Sequence, residues 1–318
     1  MSKKKVSVVI ATYNQERFLT HTLESVVKQK VEFDFEVLVG DDCSSDNTAA
    51  IVRKYAEQYP DIIVPFIREK NLGMAGNVMD LTLRAKGEYI AFIEGDDYWI
   101  DDEKLKKQVD FLDNHPDYIA CFGKFIIVDE NEVRHPEHEN YGNFMDREGD
   151  YTIKEFEKYI LPGQTATSMY RNNAYEKLQK KIREAGIDVS KIIDRSHVLC
   201  MLSVGKMYVM GEYLSAYRLM LDPESGSWSS KNDNYKIDSL INYLDGLKFM
   251  EKIAGALKMP LDFDDRRTYE LGKLYSQGKE FSKNDFKKVK NIIKSDYNSR
   301  WKYIKALFNT CFSSNKKE

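Results

Sequence analysis

Three apolar, strand-like runs in the first hundred residues each stop at a polar or acidic cluster. No other feature narrows the fold so far. VSVVIAT (Val6 to Thr12) ends at Tyr13-Asn14, FEVLVG (Phe35 to Gly40) at Asp41-Asp42, and EYIAFIEG (Glu88 to Gly95) at Asp96-Asp97. In a doubly wound α/β sheet, ligands bind just outside the carboxyl ends of the strands. That edge would carry Asp41, Asp42, Glu94, Asp96 and Asp97 together. Carboxylates crowded on one rim repel each other unless a cation sits among them. Hard cations such as Mn²⁺ or Mg²⁺ take oxygen ligands and commonly share them with phosphate oxygens. The rim therefore points to a divalent metal and a nucleotide diphosphate.

Helical patterns separate these runs. Residues 15–29 place Phe18, Leu19, Thr22, Leu23 and Val26 on one helical face. SSDNTAAIVRKYAEQY opens on Ser44, Ser45 and Asp46, good N-cap residues, and continues at helical spacing. A strand over Ile62 to Ile67, a turn at Asn71-Leu72-Gly73, a helix over GNVMDLTLRAK, a strand over Tyr89 to Ile93, a helix over DDEKLKKQVDFLDNHP and a strand over Tyr118 to Val128 follow. Repeated units of this kind predict an α/β fold with a mostly parallel sheet flanked by helices.

From residue 129 the polar segment DENEVRHPEHENYGNFMDREGDY reads as a surface excursion or mobile loop over the site. Beyond it come a helix at 152–160, a strand-like Thr165 to Arg171, and a helix at 173–185. A helix from Asp194 and two short strands, Lys206 to Val209 and Leu214 to Arg218, close this half. From about residue 232 the signals are helical and rich in Lys and Tyr. The expected organisation is a first half (1–128), a second half (129–231) and a helical extension (232–318).

Net charge of −3 over 318 residues offers no global basic field for nucleic acid. Cys43, Cys121, Cys200 and Cys311 show no C-x-x-C pairing and suit reduced thiols in the cytoplasm. The basic start, MSKKK, runs straight into a strand without a signal-peptide core, and no apolar run is long enough to span a membrane. Ala11 to Phe18 contains no Gly, which counts against a dinucleotide oxidoreductase and against a nucleotidyltransferase.

The ordered set VSVVIATYNQERFLTHTLESVVKQ, EVLVGDDCSSDNT, EKNLGMAGN and GEYIAFIEGDDYW resembles the nucleotide-sugar-binding half of the inverting family 2 glycosyltransferases, which have the GT-A fold. The likeness spans roughly residues 6–125, and ATSMYRN, IIDRSHVL and AYRLMLDPESGSWS extend it more loosely. The resemblance implies an E-x-D-D version of the family's D-x-D motif. Asp96 would ligate the metal, and Glu94 or Asp97 would contact it, a metal-bound water or the donor ribose, with Gly95 between them. Asp42 would accept the imide N–H of a uracil-type base, Tyr13 would stack on that base, and Ala11 and Thr12 would line the wall. Asn71 and Gly73 would form the loop beside them, with Gly73 letting the backbone approach the ligand.

Asp194 would be the general base that takes the acceptor hydroxyl's proton. Its alternative is a helix N-cap, and the alternative for Asp97 is an acid at a helix N-terminus. Met220 stands where relatives often carry a His, with Arg218 or Ser227 to Ser229 as substitutes on the diphosphate and Trp228 closing over the donor. The partners implied are a nucleoside-diphosphate sugar, with UDP preferred, and a saccharide or lipid-linked acceptor of a surface polysaccharide. A degenerate carbohydrate-binding scaffold is the competing class.

Two further features are read from residues alone. His135-x-x-His138 lies in an acidic stretch and reads as a solvated loop rather than a metal site. Trp301, Ile304, Leu307, Phe308 and Cys311 form an apolar stripe beside Lys302 and Lys305. Residues 300–311 could meet an anionic membrane surface, but a helix docked on the domain is the expectation.

Overall fold

The computed structural model of the chain describes residues 4–139, 143–188, 192, 194–220, 237–276 and 282–314, the side chains of residues 194, 237, 276 and 308–314 excepted. Its strands are β1 (Val6–Thr12), β2 (Phe35–Asp41), β3 (Ile63–Ile67), β4 (Tyr89–Glu94), β5 (Tyr98–Trp99), β6 (Tyr118–Val128), β7 (Gly149–Tyr151), β8 (Met169–Arg171) and β9 (Lys206–Arg218). The helices in the first half are α1 (Leu19–Val27), α2 (Thr48–Gln58), α3 (Gly73–Arg84) and α4 (Lys104–Asn114). They are followed by α5 (Ile153–Glu157), α6 (Asn172–Glu184), α7 (Asp194–Leu202), α8 (Ile237–Ala256), α9 (Asp264–Ser276), α10 (Lys283–Asp296) and α11 (Arg300–Ser314).

One sheet runs β3-β2-β1-β4-β8-β6-β9-β5, with β7 added on β9. The block β3-β2-β1-β4 is parallel. Side-chain alternation explains why these strands read as continuous apolar runs. Val6, Val8, Ile10, Val37, Val39, Tyr89, Ala91 and Ile93 pack to one side, with Leu19, Leu23 and Val26 of α1 and Leu105, Val109 and Leu112 of α4. Val9, Leu38, Ile90 and Phe92 point to the other side. There they share an apolar cluster with Leu81 of α3, Leu178 of α6, Leu199 of α7 and residues of all four C-terminal helices, including Leu247, Leu271, Val289 and Tyr303. Both faces of the parallel block are therefore covered.

The second half departs from the expected elements. β8 enters antiparallel between β4 and β6, while β6 and β9 run parallel. The two short strands expected at 206–218 are one strand. Its register slips against β6 at Phe122, Lys124 and Phe125, and this irregularity carries the polar Gly211-Glu212-Tyr213 stretch that looked like a break. Thr165 to Arg171 divides into a 3₁₀ turn (Thr165–Thr167) and β8, because the Gln164 side chain accepts the Ala166 N–H and caps a turn there. The expected helix at 15–29 starts only at Leu19.

The excursion expected from residue 129 is held by local bonds over much of its length. Val128 pairs with Arg134, Asp129 Oδ1 accepts from the Asn131 and Val133 amides, and β7 joins the sheet. At the other end of the chain α11 docks, as expected, though two members of the expected stripe face out. Tyr303 and Ala306 are buried, whereas Trp301 and Ile304 face out, 71% and 42% exposed. Leu307 packs on the core, and the side chains of Phe308 and Cys311 lie outside the described residues. Among the described residues no helix is long and apolar enough to cross a membrane.

Candidate active site at the strand ends

Parallel register brings the acidic residues to one edge. Thr12 lies opposite Asp41 and Ala11 opposite Glu94, so β1, β2 and β4 end level with one another. The Glu94-Gly95-Asp96-Asp97 turn is then fixed from several sides. The Gly95 N–H donates to the Ala11 carbonyl (3.2 Å). From α1 the buried Thr22 hydroxyl lies 2.7 Å from the Asp97 carbonyl and 2.9 Å from that of Gly95. Gly95 is required by space, since a Cβ there would come within 2.3 Å of Gln15 Oε1 and 2.7 Å of Thr12 Oγ1.

The two aspartates of this turn point to different fates. Asp97 is buried, and both its oxygens accept from the protein: Oδ1 from the Arg218 N–H (2.8 Å) and Oδ2 from Gln164 Nε2 (2.7 Å). Burial, and then the neighbouring charges of Asp96 and Glu94, push its pKa well above the usual carboxylate range. Asp96 is partly exposed and hydrogen-bonded by the Gln15 side chain. Its pKa is also raised, chiefly by desolvation, with Arg218 and the Gln15 bond working against the rise. Gln164 Nε2 also lies 3.4 Å from Glu94 Oε2, so a neutral amide bridges the outer carboxylates of the motif.

On the β2 side, Asp42 is buried and its Oδ1 accepts from the Leu72 N–H (2.7 Å), while Asn71 Nδ2 donates to the Asp42 carbonyl (3.0 Å). The 71–73 turn is thereby seated on Asp42. Gly73 sits at φ +75 in open space, so the backbone conformation demands glycine there and not crowding. Asp41 Oδ2 accepts weakly from the Ser44 N–H (3.3 Å), and its buried Oδ1 has no protein partner. Tyr13 stands half exposed at 50% beside Asn14, whose Oδ1 accepts the Ser45 N–H. The Ser44-Ser45-Asp46 cluster expected to cap α2 therefore mostly serves this loop. Ser44 Oγ accepts the Asn14 N–H and Asp46 Oδ2 that of Glu16, although Asp46 Oδ1 also takes the Thr48 N–H.

Asp194 is the first residue of α7, and its carboxylate lies outside the described residues, as do Ser227 to Ser229 and Trp228. Arg218, the suggested substitute on the diphosphate, makes its described contacts within the protein. Its guanidinium donates to the carbonyls of Asp96 (2.9 Å) and Asp129 (3.2 Å) and to Glu132 Oε1 (3.1 Å). His135, Glu137 and His138 do gather, with potential ligand atoms within 4.8 Å of one another. The contacts of His135 there are with carboxylates: Glu137 (2.8 Å) and Asp129 (3.2 Å). The segment is largely exposed, as a solvated loop would be, and His135 ties it to the turn that Asp129 begins. Gln15, Thr22 and Gln164 were not legible as site residues. Each is a neutral side chain whose role depends on where the sheet puts the acidic turn.

The chain matches the family model for glycosyl transferase family 2 over residues 7–179. An uncharacterized protein of Mycobacterium tuberculosis is 40% identical over 132 residues, 42% of this chain and 38% of that protein's length. The poly(ribitol-phosphate) beta-N-acetylglucosaminyltransferase TarS of Staphylococcus aureus is 41% identical over 113 residues, 35% of this chain and 19% of TarS. The matched stretches thus span well under half of these relatives. In structure the chain is similar to TarS residues 1–349 solved with UDP-GlcNAc, with a TM-score of 0.58 and 21% identity over 96% of this chain and 80% of that one. It is also similar to a mannosyltransferase of Pyrobaculum calidifontis solved with GDP-Man and Mn²⁺, with a TM-score of 0.51 and 16% identity over 100% and 77%. Those likenesses carry the fold, GT-A, and the family match carries the enzyme class: this chain belongs to glycosyl transferase family 2.

Proposed function

We propose that the chain is a metal-dependent, inverting glycosyltransferase that takes a sugar from a nucleoside diphosphate, UDP in preference, and places it on a saccharide or lipid-linked acceptor of a surface polysaccharide. The observation that carries this reading is the strand-end rim itself, where the carboxylates of Asp41, Asp42 and Asp97 accept hydrogen bonds from backbone N–H groups and a glutamine amide. The donor set suits Mn²⁺ or Mg²⁺, being all oxygen, with Asp97 engaged by protein on both oxygens. Such ions are commonly held by one or two carboxylates plus waters and substrate phosphates. Asp96, with Glu94 beside it, would hold the ion, and Asp97 would fix the turn. A cation bound there offsets the charge that develops on the departing diphosphate.

The rest of the site divides the substrate. Tyr13 offers an exposed ring for a base to stack on, and Asp42 an acceptor for an imide N–H, with Ala11, Thr12, Asn71, Gly73 and Gly95 around them. Asp194 takes the proton of the acceptor hydroxyl as that oxygen bonds to C1 and the C1–O bond to the diphosphate breaks, inverting the anomeric centre. UDP-GlcNAc bound to TarS supports a uracil nucleotide, and GDP-Man with Mn²⁺ in the Pyrobaculum enzyme supports the metal. The enzyme would work in the cytoplasm, with the outward Trp301 and Ile304 of α11 available to a membrane carrying a lipid-linked acceptor.

The test is release of free nucleotide from a panel of UDP-, GDP- and ADP-sugars with Mn²⁺ and with EDTA, followed by NMR of the product anomer. UDP release that needs the metal, and an inverted product, is expected. Equal turnover in EDTA, or a retained anomer, contradicts the reading.

A further inference from the structure

We propose that Arg218 is a positioning residue whose buried guanidinium clasps the Glu94–Asp97 turn to the turn at 129–132, and so sets the geometry in which Asp96 meets a divalent cation. This rests on the functional reading above. The side chain of Arg218 is 1% exposed. Its Nε donates to the Asp96 carbonyl, Nη1 to the Asp129 carbonyl and Nη2 to Glu132, while its own backbone N–H donates to the Asp97 carboxylate. Both ends of the Asp96–Asp97 dipeptide are therefore tied to one residue at the end of β9.

The guanidinium also lies over the rings of Phe18 (4.4 Å) and Tyr98 (5.5 Å). Glu132 completes the clasp: it takes His21 Nδ1 at 2.7 Å, and His21 stacks on Tyr98 at 4.0 Å. Glu132 is held at φ 66, a conformation uncommon for a side-chain-bearing residue, in the turn that presents it to Arg218. A planar fork with fixed donor directions can reach two carbonyls and a carboxylate at once, which a lysine ammonium cannot reproduce. Mutating a group that orients a metal ligand from behind typically costs about 10- to 100-fold in metal affinity.

Charge and orientation make opposite predictions. Removing a positive charge beside carboxylates should tighten cation binding, whereas releasing the turn should weaken it. The experiment is a titration of Mn²⁺ into the full chain saturated with UDP, read by calorimetry, for wild type, Arg218→Lys, Arg218→Met and Glu132→Gln, each checked by thermal melting. Arg218→Met is expected to weaken Mn²⁺ by about tenfold or more, and Arg218→Lys by less but still clearly, because an ammonium can keep one carbonyl contact but loses the fork. Glu132→Gln, which leaves the Asp96 contact in place, should cost less than about fivefold.

If Arg218→Met does not fold, Arg218→Lys carries the test. Folded Arg218 variants that bind Mn²⁺ as tightly as wild type, or tighter, overturn the clasp, even if their melting temperature falls. A wild type that binds no Mn²⁺ in the presence of UDP overturns the functional reading and the clasp with it. A wild type that does, matched by its variants, overturns the clasp alone.

Discussion

In the C-terminal helices buried acids pair with cationic side chains, whereas at the strand ends Asp41, Asp42 and Asp97 accept from neutral donors. Arg267, fully buried in α9, takes both oxygens of Glu251 from α8 (2.8 and 2.5 Å) and lies 3.4 Å from Asp264. Lys302 of α11 approaches Asp264 from the other side at 3.6 Å. At the rim, Asp97 is met by an amide and a backbone N–H, Asp42 and Asp41 accept from backbone N–H groups, and Asp96 is met by Gln15. The Arg218 guanidinium, beside Asp96, gives its donors to carbonyls and to Glu132 instead. A charge-paired cluster locks a helix packing. A cluster held mainly by neutral hydrogen-bond donors keeps carboxylates in a fixed place at the expense of stability, and so suits a site that must receive a cation.

The largest expected effect that could break this contrast is at Asp96. Asp96→Asn should lower transfer by about 10⁴-fold, the scale of a lost metal contribution of several kcal/mol. Its melting temperature at neutral pH should hold or rise. The sign follows from linkage: the folded pKa of Asp96 is raised, so the ionised carboxyl costs stability above that pKa, and the neutral amide removes the cost. Asp194→Asn comes next, with transfer down by about 10²- to 10⁴-fold and UDP-sugar affinity within a few-fold of wild type. Unchanged turnover would return Asp194 to a helix N-cap.

The converse variant is Arg267→Met. It takes the cation from Glu251, leaves Asp264 with the more distant Lys302, and should cost about 3 to 5 kcal/mol in denaturant unfolding, while the protein that remains folded keeps its affinity for UDP and Mn²⁺. Loss of nucleotide binding with little loss of stability would erase the distinction between the two clusters.

The smallest effect sharpens what an unanswered buried charge costs. Lys104 is buried against the Trp99 ring (4.3 Å) and Gln108 (2.6 Å), and burial lowers its pKa from 10.5 to about 7. Between those pH values the unfolded chain keeps a proton that the folded chain has shed, so the Lys104 contribution to stability rises with pH. Lys104→Met should therefore gain stability at pH 7 and show a flatter rise in melting temperature toward pH 10 than wild type.

Much of the first half was legible because its signals are local. The β1 and β6 bounds and the rim of Asp41, Asp42, Glu94, Asp96 and Asp97 follow from apolar runs that stop at polar or acidic residues. What failed depended on partners far along the chain. The continuity of β9 is decided by its register against β6, and the division at Thr165 to Arg171 by one side-chain cap from Gln164. Asp96 and Asp97 look alike in sequence, and only Gln164 and Arg218, brought in from the second half, turn one inward. In α11 the apolar spacing was real, but the face buried is that of Tyr303 and Ala306, because α9 and its neighbours offer the surface it packs on.

The central claim is that the rim holds a nucleoside diphosphate through a cation at Asp96. It is tested most directly by thermal melting of wild type and Asp96→Asn with UDP, in Mn²⁺ and in EDTA. A ligand at about 100 times its Kd stabilises by about 2.7 kcal/mol, well within reach of such a measurement. The expected result is a rise in melting temperature for wild type with UDP and Mn²⁺ together, much reduced in EDTA and much reduced in Asp96→Asn. The same rise in all conditions, or none in wild type, would contradict the account.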